Sequence, residues 1–260
     1  MVEEHEGENN VSIVVAYKYA PNPQDAKVLA DGAIDWSRAK AAVSESDPVA
    51  MEMGRRIATA VGTELVGISV GNAQIASPIA RKNAMSRGFD RGILLADDVV
   101  ADWSATQVGA ALAELVKKVG DVSLVLTADS SVDEAAGVTP ALIAGYLGWP
   151  AILDVTRVEP TEGGYLLTQR IKGGTRTLKV TGRAVVATTS DATSPAVPSM
   201  KDILAAGKKP VEVLGAADVE ASGAALNVVG RERPAKRERE GKMYGTAAEL
   251  VAALREDGVL

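Results

Sequence analysis

The sequence contains no cysteine and a single histidine, His5, and aromatic residues make up 3% of its 260 positions. Without cysteine there can be no disulfide, no thiolate nucleophile and no cysteine-held cluster. The lone histidine lies in a polar amino-terminal stretch that reads as a solvated tail. That leaves neither a Ser-His-Asp triad nor a histidine metal site. One Phe, three Trp and five Tyr give little for bases to stack on, and a net charge of -6 provides no basic face, which argues against nucleic acid. No apolar run approaches the roughly 20 residues of a bilayer span, and "MVEEHEGENN" resembles neither a signal nor a transit peptide. The expectation is a cytoplasmic protein with no membrane insertion, no catalytic residue and no metal ligand. Any redox chemistry then has to be carried by a bound cofactor.

With 47% hydrophobic residues, the chain is long enough for one large α/β domain and an appendage. Four apolar runs, 11–19, 64–71, 91–98 and 122–127, read as buried strands. Between them lie helical periods at 48–61, closed by Gly62, at 72–88, interrupted near Pro78, and at 104–120. In the last of these Val108, Ala111, Leu112, Leu115 and Val119 share one face, with Lys117 and Lys118 where the helix dipole favours cations. Apolar strands alternating with helices indicate a parallel sheet covered on both faces. After Trp149 the pattern becomes an antiparallel meander over 151–182, with turns at "EGG" and "KGG". "AVVATT" (184–189) reads as the final core strand. A short helix in "KDILAAGKKP", a charge run "RERPAKRERE" (a solvated linker, or an arm across another subunit) and a terminal helix in "TAAELVAALRED" follow.

The expected fold is thus α/β: an open, mostly parallel doubly wound sheet of the adenine-nucleotide-binding, Rossmann-like type, with an antiparallel hairpin insertion and an extended C-terminal arm. Residues 1–190 form the nucleotide-binding domain. Residues 191–213 form a recognition loop and short helix, and 214–260 a C-terminal arm and helix.

In such sheets ligands bind outside the carboxyl ends of the strands. "AYK" (16–18), "SVGN" (69–72) and "SSVDEAAGVTP" (130–140) stand there. Ser130, Ser131 and Asp133 offer hydroxyls and a helix cap, and Gly137 with Ala135 and Ala136 lets a ligand approach the backbone. The N–H groups of a first helical turn suit a phosphate. The plainer alternative is that Asp133 only caps the helix and the alanines only pack. Neither GxGxxG nor GxxxxGK[ST] is present.

Further along, "SPAVPSMKDILAAGKKPVEV" (194–213), after "RAVVATTSDAT", resembles the most recognisable segment of electron transfer flavoprotein beta subunits. "VVAYKYAPNPQDAKV", "DGAIDWSRAKAAVSESD", "GISVGNAQIASPIARKNAMSRGFDRGILLADD" and "SSVDEAAGVTPALIAGYLGWPA" agree in order and spacing, and together they resemble the FixA-like branch. The resemblance implies an electron carrier without substrate turnover of its own. It would pair with a FixB-like alpha subunit, share FAD with it, and bury AMP or a second FAD in its own fold. It would serve acyl-CoA dehydrogenase-like or flavin oxidoreductase partners. The implied nucleotide contacts are Ala16, Asp47, Pro48, Val49, Ala50, Val70, Ala128, Asp129, Ser130, Ser131, Asp133, Ala136, Gly137, Val138 and Thr139. The implied docking residues are Val197, Pro198, Met200 and Lys201, with Val197 at the tip where leucine is usual; the alternative for Val197 is an ordinary buried valine.

The chain departs from the family pattern at Asp47, where asparagine usually precedes the proline, at Pro140, which replaces a common glycine, and at Pro23, near the place of a tyrosine that approaches the flavin. Lys18 and Arg87 could aid an anionic ligand, though surface salt bridging is the plainer reading. Lys201, Lys208 and Lys209 could steer an acidic partner or simply solubilise. The competing function is a free-standing, universal-stress-like regulator that binds ATP or AMP without an alpha subunit.

Overall fold

In the computed structural model the described residues are 11–260, apart from 225, 227–228, 231, 233–234 and 236–240. The amino-terminal tail with His5 and most of the 231–240 charge run therefore lie outside the described residues. The four apolar runs become β1 (Ser12–Ala16), β2 (Leu65–Gly71), β3 (Arg91–Ala96) and β4 (Val122–Ala128). Their helices are α1 (Asp47–Val61), α2 (Pro78–Met85) and α3 (Ala105–Val119). Gly62 ends α1 in the left-handed region at φ 70°, where the missing Cβ removes the penalty. Ser104 and Gln107 open α3 with a reciprocal capping box.

The chain continues through α4 (Thr139–Leu147), β5 (Ala151–Thr161), β6 (Gly164–Ile171), β7 (Gly174–Thr181) and β8 (Ala184–Thr188). It then forms α5 (Met200–Ala206), β9 (Val211–Leu214) and α6 (Ala247–Glu256). The nine strands make one sheet in the order β7-β6-β5-β8-β4-β1-β2-β3-β9. All neighbours from β5 through β9 along that order are parallel, and β5-β6-β7 is an antiparallel meander.

Three sequence expectations change. The first strand stops at Ala16, and Tyr19–Pro21 instead pairs with Ala41–Val43 in a small separate ribbon. "AVVATT" is not the last strand of the sheet, because β9 adds in parallel beside β3. The first strand of the expected antiparallel meander, β5, pairs in parallel with β8 on its other side. The meander therefore extends the sheet rather than standing apart from it.

The apolar strands bury both faces. Ile13 and Val15 point into one core with α1, α2 and the α5 segment, whereas Val14 and Ala16 point into the other with α3 and α4. The chain runs β1-α1-β2-α2-β3 outward on the first face, then returns through α3 on the second face to place β4 against β1's free edge. The order of strands reverses between β1 and β4, and in an open parallel sheet that reversal leaves a crevice at the carboxyl ends. Among the described residues no helix is long and apolar enough to cross a membrane.

Candidate functional site

Three stretches far apart in sequence meet at the carboxyl ends of β1 and β4. The Lys18 N–H donates to Asp47 Oδ2 at 2.7 Å, tying the end of β1 to the first turn of α1. Val132 N–H donates to Ser44 Oγ at 3.2 Å, tying the loop after β4 to the segment before α1. Lys18 Nζ lies 2.7 Å from Asp133 and 3.5 Å from Glu134, closing the third side. Ala16, Asp47, Asp129 to Ser131 and Asp133 are thereby brought to one corner. Val70 is next to last in the neighbouring strand β2, whose Ser69 hydroxyl donates to the Tyr17 carbonyl just past β1. Ala50 is fully enclosed in the core and supports the floor of the corner without reaching its surface.

The expectation that Asp133 caps a helix is corrected. Helix α4 begins at Thr139, with Val138 at its N-cap and no side chain capping it; Asp133 lies too far upstream and spends its carboxylate on Lys18. Ala136, Gly137 and Val138 are exposed ahead of this uncapped turn, and Ala135 (φ 50°) and Gly137 (φ 64°) both take left-handed backbone. Left-handed geometry is costly for alanine and here curls the loop back over Asp129, whose carbonyl would lie 3.7 Å from a Cβ on Gly137.

Asp47 is 5% exposed. Burial, with help from the charges of Asp133 and Asp129, pushes its carboxyl up to about 7 against the pull of the Lys18 N–H and ammonium. Burial raises Asp133 too, but the Lys18 ammonium and the Ser131 hydroxyl outweigh it and hold that carboxyl below the usual range. Burial and then the Asp47 charge drive the Tyr17 phenol well up, and its ring stacks on Phe89 at 5.8 Å. Among the described residues Arg87 does not form the surface salt bridge expected of it. It is partly buried, its Nε has no partner among them, and Asn83 Oδ1 and Asp133 Oδ1 are likewise buried without one. Ser44 and Asn83 were not legible as site residues, because each acts through the fold and belongs to no spacing motif.

These residues fit the phosphate of a nucleotide. Uncapped N–H groups and an exposed glycine turn suit a phosphate. Ser130 and Ser131 follow Asp129 half-buried, and Pro48 and Val49 follow Asp47 in the first turn of α1, half-buried and buried. A cleft of about 580 Å³ lies instead at the amino ends of β1 and β4, lined by residues such as Val11, Thr63, Asp121, Tyr165 and Arg183. None of the corner residues borders it.

A second surface carries the expected docking residues. Val197 is 91% exposed, Met200 71% and Leu204 68%, so Val197 is not an ordinary buried valine. Ser199 and Asp202 cap α5 reciprocally, and Lys201, Leu204, Lys208 and Lys209 border a groove of about 550 Å³ beside it. Lys209 is neither a steering nor a solubilising lysine; its ammonium donates to the carbonyls of Met85 and Phe89 and pins this segment to the end of α2.

The fold is α/β, a mostly parallel, Rossmann-like sheet flanked by helices, with the corner at its switch point. The electron transfer flavoprotein domain matches residues 31–219. The chain belongs to that family, whose members are electron carriers associated with flavin.

Proposed function

We propose that this chain is the beta subunit, of the FixA-like branch, of a heterodimeric electron transfer flavoprotein in the cytoplasm. It passes electrons between flavin dehydrogenases or reductases and a downstream acceptor. Residues 1–190 hold an adenine nucleotide in the corner, AMP or a second FAD. Residues 191–213 meet the redox partner, which is acyl-CoA dehydrogenase-like or a flavin oxidoreductase, and residues 214–260 lie against a FixB-like alpha subunit.

The observation that carries this reading is the convergence of Ala16–Lys18, Asp47 and the 129–139 loop at the switch point, in a chain of this family. Two further features support it. Val197 projects between Pro195 and Pro198, and flanking prolines lower the cost of ordering a loop on a partner. The C-terminal segment leaves Met243 96% exposed, and no residue of α6 is buried. Apolar surface of this kind marks an interaction face. FAD shared with the alpha subunit supplies the one-electron chemistry. This chain's own residues bind, orient and exclude water, and Val197, Pro198, Met200 and Lys201 provide docking surface.

Co-expression with an alpha subunit, followed by acid release of bound nucleotide, tests the assignment. One FAD with one AMP per heterodimer, or two FAD, is expected.

A further inference from the structure

Further along α1 stands a second charged cluster, built on Glu52, which is 5% exposed. Its carboxylate accepts from Arg55 Nε at 3.0 Å, Arg55 Nη2 at 2.8 Å and Arg56 Nε at 2.7 Å. A buried carboxylate is costly without such partners. In return it fixes two long side chains that would otherwise swing freely, and it offsets the repulsion between neighbouring arginines. Both arginine side chains remain substantially exposed. Their described side-chain hydrogen bonds all go to Glu52, so Arg55 Nη1 and both Nη atoms of Arg56 keep donors to offer.

The pair adjoins the surface around α5. Arg55 lies over Gly88, where a Cβ would come within 2.6 Å of its Cδ. The next residue, Phe89, accepts from the Lys209 ammonium at the border of the α5 groove. Lys82 lies against Gly207, where a Cβ would meet its Cε at 3.2 Å. Arg55, Arg56 and Lys82 therefore extend the cationic border of that groove beyond Lys201 and Lys208. The three lysines form no ion pair among the described residues. Asp202, on α5 itself, is taken by the N–H and hydroxyl of Ser199. This concentration of positive charge stands in a chain of net charge -6.

We infer that the arginine pair held by Glu52 is the electrostatic anchor for an acidic loop of a protein partner, which places an apolar side chain in the groove beside Leu204. The inference rests on the docking reading of the α5 surface; it adds α1 to that surface and gives the partner its charge. Guanidinium forks set in advance meet carboxylates through paired N–H groups and lose little freedom on binding. A groove of about 550 Å³ takes a projecting side chain, which a flat anionic bilayer does not offer.

The test is fluorescence anisotropy on the full chain with a fluorescein-labelled peptide, a leucine flanked on each side by glutamates, and its counterpart with glutamine in place of glutamate. At low salt the acidic peptide is expected to bind about tenfold tighter, and the ratio to collapse at about 1 M salt. Arg56→Gln leaves Arg55 bidentate on Glu52 and should shrink the ratio to roughly threefold or less. Glu52→Gln discriminates further. It adds positive charge to the surface, so attraction by charge alone would tighten binding, whereas loss of the fixed forks should weaken it about threefold or more. Equal affinity for the two peptides, an unchanged ratio in Arg56→Gln, or tighter or unchanged binding in Glu52→Gln overturns the anchor. Binding to phosphatidylserine vesicles with no preference for the acidic peptide overturns it in favour of a lipid surface. None of these outcomes alters the nucleotide count of the heterodimer, so the anchor and the subunit assignment fail separately.

Discussion

At Asp47 a carboxyl group with one backbone hydrogen bond is enclosed at the first turn of a helix, with two other carboxylates in range. Its folded pKa, about 7, lies above the unfolded value of 3.8. The folded chain therefore binds this proton more tightly than the unfolded chain does. The group's contribution is fullest below pH 4 and declines as pH rises through about 7. Three pKa units correspond to roughly 4 kcal/mol. Asp47→Asn keeps the acceptor for Lys18 and removes the titration. It is expected to stabilise the chain by a few kcal/mol at pH 8 and hardly at all at pH 4 in urea melts. Equal effects at the two pH values would contradict the account. Asp133 runs the other way, because its lowered pKa gives stability that is lost on acidification. The sequence marked Asp47 through the resemblance and Asp133 through its place after a strand. The Lys18–Asp133 pair joins residues with no local signal linking them, which is why a cap was expected where an ion pair stands.

Helix α1 lies close on the sheet because Gly54 faces it. A Cβ there would lie 2.8 Å from Val15 Cγ2 and 3.0 Å from Leu65 Cδ1. In an open helix Gly→Ala stabilises by roughly 0.5–1 kcal/mol. Here Gly54→Ala is expected to destabilise by about 1–3 kcal/mol through overpacking, and a denaturant midpoint decides the sign. At the exposed loop that carries Val197 the expectation is the opposite. Val197→Asp should leave the melting midpoint within about 0.5 kcal/mol of the parent, because the side chain is 91% exposed. It should slow reduction by the partner dehydrogenase about tenfold or more, since exposed anchors carry much of a docking energy. Loss of stability with unchanged reduction would contradict the loop's role. Strands and helices were legible where burial on both faces forces an apolar run or a helical period, as in β1 to β4 and α3. Strand β9 escaped because it is four residues long, sits at an edge and contains Glu212, which pairs with Lys118 on α3.

Across the whole molecule, the alternation of strands and helices made a parallel doubly wound sheet legible from the sequence, and with it the end of the sheet where a ligand belongs. The order β8-β4-β1-β2, which makes β1 and β4 the switch point, is set by long-range packing through α3 and is not written in any local stretch. The family match spans 31–219, covering the corner from Asp47 to Thr139 and the loop that carries Val197. The central claim is that this corner holds an adenine nucleotide within a flavin-carrying heterodimer. The most direct measurement is to co-express the chain with an alpha subunit, purify what associates, and identify and count the nucleotides released by acid. A yellow heterodimer with one FAD and one AMP, or with two FAD, is the expected result. A chain that associates with no alpha subunit, carries no flavin and binds ATP alone would contradict it.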